Sequence, residues 1–247
     1  MHRNVFVISM PDAIARRTPQ IEDLQTKHID HEIWPAVDGR NGLDASHEMQ
    51  IDRAATLKTL GRHMTDAEYG CALSHQEIYR EVLARNLDHA VILEDDAILA
   101  PGFADLITGC RLDDYDILLL YHARARVHRG SRRDAGGQNT AYRAATMPLG
   151  AVGYVVSKGG AEKLIAQNSP IIAPTDWPSD ISLMKTYACH PRLITHPDLE
   201  HGPSELRAER QQKQASQPKR TKETAARFLT ARYWKRTYYK RLGKWIS

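Results

Sequence analysis

No stretch of this chain approaches the roughly twenty consecutive apolar residues that cross a bilayer, which argues against a transmembrane helix. The first apolar run, Val5-Phe6-Val7-Ile8, is too short for the apolar stretch of a signal peptide and reads as a strand. A cytoplasmic, non-exported chain is the expectation. Cysteine is scarce: Cys71, Cys110 and Cys189 form an odd set with no paired metal-ligand spacing. That speaks against a disulfide framework and for thiols in a reducing compartment. There is no internal repeat, which excludes a solenoid. Acidic residues become rare near the end. From Glu205 onward 13 Lys and Arg stand against 3 Glu, a balance of +10; with +4 overall, the rest carries 4 − 10 = −6. A mildly acidic body is unsuited to nucleic acid, so none is expected as a partner, whereas the basic tail suits a polyanionic surface.

What is present is an alternation of strands and helices. With 247 residues, 42% of them hydrophobic, the chain can close one sizeable α/β core with a small appendage. Strands are predicted over 4–10, 31–37, 90–93, 115–120 and 153–157, and helices over 13–28 and 158–167. Thr65 and Glu68 have capping-box spacing, so a further helix is predicted from about Asp66 to Arg85. Residues 41–62 read as loop with short helices, 129–139 as a mobile glycine-rich loop, and 180–185 as the start of another helix. This order predicts an α/β sandwich with a mostly parallel central sheet.

Glu94-Asp95-Asp96 follow directly on the strand Val91 to Leu93. Ligands of open α/β sheets bind beyond the carboxyl ends of strands. Clustered carboxylates there attract a hard cation such as Mn²⁺ or Mg²⁺, which can neutralise a departing diphosphate. Strand alternation would turn Glu94 and Asp96 to one face and Asp95 to the other. A solvated acidic turn is the competing explanation.

The surrounding motifs decide between them. In chain order they are Val7-Ile8-Ser9 with Arg16-Arg17, Ala36-Val37-Asp38-Gly39, Gly70-Cys71-Ala72-Leu73-Ser74-His75, Val91 to Asp96, Gly150 with Gly153 to Ser157, and Pro178-Ser179-Asp180. In this order, over roughly residues 4 to 200, the chain resembles glycosyltransferase family 25, which includes lipopolysaccharide and lipooligosaccharide galactosyltransferases. The resemblance implies a single Rossmann-like domain of the GT-A type. It also implies a UDP-sugar donor, galactose foremost, and inversion at the anomeric carbon. By the same resemblance Asp96 is the best metal ligand, with Glu94 or Asp95 meeting the ribose or the metal's water shell. Ser9, Asp38, Gly39 and His75 are expected beside the donor, with Gly39 permitting a tight turn. Arg16 and Arg17 can pair with its diphosphate, one of them being instead a solvated helix face. Asp180 is favoured as the base, with Asp176 as rival; a helix N-cap is the bland role for either. Trp177 could offer a platform for a sugar ring. His190 and His196 read as surface histidines, with a third metal ligand as the alternative. Cys71 reads as a small buried packer.

The domain is expected over residues 1–203, and 204–247 as a basic, aromatic-rich linker and amphipathic helix. On a helix over 227–247, Ala231, Trp234, Tyr238, Leu242 and Trp245 share a stripe, with Arg236, Lys240 and Lys244 on the other side. Such a helix suits an anionic bilayer. It would hold the protein on the cytoplasmic face of the inner membrane, near a lipid-linked oligosaccharide acceptor. The alternative is a non-catalytic protein acting through this tail on membrane or nucleic acid.

Overall fold

The computed structural model of the protein describes residues 4–110, 113–175, 177–196, 238–239 and 243–247. Strand β1 (Asn4–Ser9) is buried from Val5 onward, as an unbroken apolar run inside a covered sheet should be. Helix α1 (Ile14–Thr26) follows, and β2 (His31–Pro35) lies parallel to β1. Two short helices, α2 (Ala45–Glu48) and α3 (Arg53–Leu60), occupy the irregular stretch after it, each N-capped by an aspartate. Helix α4 (Asp66–Ala84) opens on the expected capping box. There Thr65 Oγ1 accepts from the Glu68 N–H at 3.0 Å and the Glu68 carboxylate accepts from the Thr65 N–H at 2.8 Å.

The remaining elements begin with β3 (His89–Glu94), β4 (Ile98–Leu99), α5 (Phe103–Gly109), β5 (Ile117–Leu119) and β6 (Ala125–Val127). After them come β7 (Arg133–Gly136), β8 (Asn139–Arg143), β9 (Gly153–Ser157) and α6 (Lys158–Gln167). The described chain ends with β10 (Thr186–His190), β11 (Ile194–Thr195) and β12 (Lys244–Ile246).

Eight strands form one sheet in the order β2-β1-β3-β9-β5-β10-β8-β7. Strands β1, β2 and β3 run parallel, β5 and β10 run the same way, and β9 and β8 run against them. The expected mostly parallel sheet is therefore mixed. Most strands share a direction, but β9 lies antiparallel between β3 and β5, and β8 reverses beside β10. One face packs Leu24 of α1 and Phe103 and Leu106 of α5 against Val5, Leu93 and Leu118. The other packs Ile78 and Val82 of α4 and Leu164 of α6 against Phe6, Ile92 and Tyr154. The result is a Rossmann-like α/β sandwich whose β1, β3, β5 and β10 all end at one edge.

Three expectations are corrected. The 129–139 loop contains most of a β-hairpin, β7–β8, because Ala135 and Ala141 are buried in the sheet while Arg133 and Asp134 stay exposed. The helix expected over 180–185 is a single 3-10 turn, Ile181–Leu183, because the next residues extend into β10 between β5 and β8. Residues 244–246 of the expected tail helix are β12, paired antiparallel with β6, with Ile246 buried in the α4–α6 core. Tyr238 and Tyr239 are helical; Arg227–Thr237, Lys240, Arg241 and Leu242, like the linker over 204–222, lie outside the described residues.

Candidate donor site

Strand β3 ends at Glu94, and a turn closed by the Ala97 N–H donating to the Glu94 carbonyl at 3.0 Å follows. The turn takes Asp95 and Asp96 out of the pleat, so the strand alternation expected of the triplet does not hold. Asp95 and Asp96 converge on one cation, the Arg16 guanidinium of α1, and Glu94 turns away from it to the α4 face. Arg16 Nε lies 2.8 Å from Asp95 Oδ1, and its Nη2 donates to Asp96 Oδ2. One helical turn on, Gln20 Nε2 donates to the carbonyls of Glu94 and Ala97 at 3.0 and 3.1 Å, which fixes the turn.

Ser9, at the carboxyl end of β1, donates to Asp95 Oδ2 at 2.8 Å. Arg17 is partly buried and points to backbone, neither on the carboxylates nor on a solvated helix face. Its Nη1 donates to Met10 O at 2.9 Å and Pro11 O at 3.4 Å, and to Ser9 Oγ at 3.3 Å, so it braces the β1–α1 turn.

Asp96 has a partner that sequence reading placed on the surface. His196 is partly buried, its side chain 13% exposed, with its Nε2 3.1 Å from Asp96 Oδ2, so it is not the free surface histidine expected. The cause is the β4–β11 pair: Thr195 lies opposite Ile98, which delivers the next residue to the acidic turn. His190, half-buried at the end of β10, instead meets the carbonyl of Ser247 at 3.2 Å.

The two aspartates differ electrostatically. Burial pushes the Asp95 carboxyl above its ordinary value, against the pull of Arg16 and Ser9. Burial acts the same way on Asp96, but the His196 hydrogen bond and the Arg16 charge outweigh it and hold Asp96 low. Among the described residues, Asp96 Oδ1 is buried without a hydrogen-bond partner. An orphaned carboxylate oxygen next to an imidazole nitrogen fits a divalent cation, whose oxygen and nitrogen ligands these are.

Glu94 belongs to a second group on the α4 side. Its Oε1 lies 3.4 Å from His75 Nε2 and 4.0 Å from Cys71 Sγ. His75 Nδ1 meets the Tyr154 hydroxyl at 2.7 Å, and Tyr79 and Tyr154 hydroxyls lie 2.5 Å apart. His75 is 1% exposed and faces the Glu94 carboxylate. Cys71, only partly buried, accepts from Thr175 Oγ1 at 3.1 Å. Cys71, His75 and Glu94 bring ligand atoms within 4.8 Å of one another, a softer set than Mn²⁺ or Mg²⁺ prefers.

The other expected residues have partners of their own. Both Asp38 oxygens are held by Arg40, at 2.7 to 3.1 Å, and Arg40 reaches on to Asp12 at 2.7 Å. Gly39 serves close packing and not a tight turn: a Cβ there would sit 2.2 Å from the Asp66 carbonyl oxygen at the start of α4. Asp180 caps the 3-10 turn, accepting from Ser182 N at 3.1 Å and Ser182 Oγ at 2.6 Å. It precedes the amino end of β10, the opposite end from the acidic turn. Asp176 lies outside the described residues. Its neighbour Trp177 is 4% exposed with its ring 5.1 Å from that of Tyr154, so it is core and not a sugar platform. Trp177 also holds φ at 79°, a left-handed conformation unfavourable for a bulky residue.

Comparisons with known proteins converge on one family. The model of glycosyltransferase family 25 (LPS biosynthesis protein) matches residues 2–180. A glycosyltransferase 25 family member of Aedes aegypti is 28% identical over 177 residues, 66% of this chain and 28% of that protein. Procollagen galactosyltransferase 2 of Homo sapiens is 27% identical over 179 residues, 66% of this chain and 27% of its own length. The probable inactive glycosyltransferase 25 family member 3 of Bos taurus is 31% identical over 170 residues, 66% of this chain and 28% of its own. The chain thus spans less than a third of the length of these relatives.

Proposed function

The chain belongs to glycosyltransferase family 25, and from that membership we propose that it is an inverting, metal-dependent glycosyltransferase of the GT-A type. It moves a hexose, galactose foremost, from a UDP-sugar to a lipopolysaccharide- or lipooligosaccharide-type glycan. The observation that carries this reading is the partly buried Asp96, whose Oδ1 is buried with no hydrogen-bond partner among the described residues, set between Arg16 and His196 just past the carboxyl end of β3. The family description supports the glycan class, and the name of the human relative supports galactose.

Asp96 and His196 would hold Mn²⁺ or Mg²⁺, which supplies charge neutralisation for the leaving diphosphate. Arg16, half exposed and released from the aspartates, is positioned to turn its guanidinium to the same phosphates. Ser9 and Asp95 orient the ribose. A base removes the proton of the acceptor hydroxyl while its oxygen bonds the anomeric carbon and the bond to the diphosphate oxygen breaks. Asp176 is the better candidate for that base. The residues on either side of it, Thr175 and Trp177, are anchored to Cys71 and Tyr154 beside Glu94, whereas Asp180 is occupied with Ser182. The strained backbone of Trp177 supports a functional reason for that anchoring. The basic tail holds the enzyme on the anionic cytoplasmic leaflet, near a lipid-linked acceptor.

Calorimetry of UDP binding with and without Mn²⁺, in the wild type and in Asp96→Asn, tests the reading. Mn²⁺-dependent binding that the substitution abolishes is expected. Absence of UDP binding under every condition would refute it.

A further inference from the structure

The acidic turn occupies one edge of the sheet; the opposite edge carries an unassigned basic concavity of about 430 Å³. Arg132, Arg133, Arg143, Lys185, Tyr187 and Asp114 are among the residues that line it. Register explains its assembly. Arg143 of β8 lies directly across from Tyr187 of β10, and Arg133 of β7 lies across from Ala141, two residues from Arg143 on the same face. Tyr187 stands near the amino end of β10, which runs parallel to β5 and with β3. The concavity is therefore at the far end of the strands from Glu94 to Asp96, and a donor held there does not reach it.

Two guanidiniums are gathered on a single ring. The Arg133 and Arg143 guanidinium carbons lie 5.1 and 5.9 Å from the centre of the buried Tyr187 ring. Neither arginine forms an ion pair with a carboxylate among the described residues, and Lys185 pairs with Asp114, which is the acidic residue lining the concavity. Cation–π attraction and the hairpin backbone hold the two like charges together. Ser131 contributes by accepting from the Arg143 N–H at 2.9 Å while donating to the His128 carbonyl at 2.7 Å. Two guanidiniums held on one ring and in no direct ion pair among the described residues, with a lysine and a further arginine beside them, match a phosphate group, whose oxygens accept several charge-assisted hydrogen bonds at once; the Asp114 carboxylate, which feels the Arg133 charge, offsets only part of this positive charge.

We propose that this concavity is a second binding site, separate from the donor site, for a phosphate group carried by a ligand such as a phosphorylated glycan or a lipid headgroup. The site does not depend on the glycosyltransferase reading, since none of its residues belongs to the acidic turn.

Titration of the whole 247-residue chain, free of metal, with inorganic pyrophosphate in chelator, at low salt, tests the site in the wild type, Arg133→Gln/Arg143→Gln, Asp96→Asn and the combination of the two. Pyrophosphate affinity is expected to fall about tenfold or more in the double variant, the loss appropriate to charge-assisted hydrogen bonds, and by the same factor when the double substitution is made on the Asp96→Asn background. Co-sedimentation with phosphatidylglycerol vesicles, against neutral phosphatidylcholine vesicles, identifies the source. A parallel loss in the double variant assigns the phosphate to a lipid surface, and unaltered sedimentation with weakened pyrophosphate binding assigns it to a soluble or glycan-borne phosphate. Single Arg133→Gln, at an exposed position, replaces the double variant if the latter does not fold, with a smaller loss expected. Pyrophosphate and vesicle binding both unaffected by the substitutions would overturn the proposal.

Discussion

At the scale of single residues, Arg16 is the group on which the acidic turn depends while no other cation is present. It compensates two aspartates that would otherwise repel each other. Arg16→Ala is expected to tighten Mn²⁺ binding by about three- to tenfold without nucleotide, because a competing cation is gone, and to weaken UDP binding. Titration of Mn²⁺ by electron paramagnetic resonance, with and without UDP, reads both effects. His122 makes a different prediction. It is fully buried after β5, its Nε2–H donates to the Cys189 carbonyl at 3.0 Å, and burial pushes its pKa down to about 4. Between that value and its ordinary one the unfolded chain binds the extra proton. Its contribution to stability is therefore complete above about pH 6.5 and is lost as pH falls toward 4, by up to about 3 kcal/mol. Urea denaturation from pH 4 to 7 should show a shallower acid loss in His122→Asn than in the wild type; parallel curves would contradict it.

At the scale of elements, the site rests on two joints. The first is the docking of the loop after β2 on α4. A Cβ on Gly70 would lie 2.5 Å from the Val37 carbonyl oxygen, and one on Gly39 still closer to Asp66, so two backbones meet with no room for a side chain. Gly39→Ala should destabilise the fold by about 1–3 kcal/mol, measured by chemical denaturation, because backbone has to give way. The second joint is the hydroxyl–imidazole chain from Tyr79 through Tyr154 to His75 and Glu94. Burial raises both tyrosines well above their ordinary pKa, so they stay neutral and act as hydrogen-bonding struts. Tyr154→Phe leaves two buried partners short of a bond and should lower stability by about 1–3 kcal/mol while lowering UDP affinity through a displaced Glu94. These elements were legible in sequence to different degrees. The capping box of α4 and the apolar runs of β1 and β3 are local signals, and the structure has them where local signals put them. Strands β6, β10 and β12 have no such signal: short, interrupted runs become strands only because a neighbour supplies the hydrogen bonds.

At the scale of the whole molecule, the end of the chain is part of the domain. Strand β12 pairs with β6, Trp245 lies between Arg124 and Arg126 at 4.7 and 4.2 Å, and Ile246 closes the core under α4 and α6. Ile246→Ala should therefore cost about 2–4 kcal/mol, seen as a lowered thermal midpoint. Deletion of 227–247 would remove this strand with the basic segment, and so confounds any test of membrane docking. Replacing Lys235, Arg236, Lys240 and Arg241 with Gln keeps β12. Loss of co-sedimentation with anionic vesicles is then expected from charge alone, and retention would remove the tail from the membrane reading.

Neighbouring residues carry the α/β class, the acidic turn at the end of β3 and the helix start at Thr65, and ordered motifs spread along the chain carry the family. What the carboxylates face is set only by the folded chain. Asp96 meets His196 across 100 positions through the β4–β11 pair, and Glu94 turns to His75 because the strand ends before Asp95. Folding also decided that β9 runs backwards in the sheet and that the last strand is core. No local pattern encodes these, since pairing between distant segments is settled by which buried surfaces and backbone groups find one another when the chain closes.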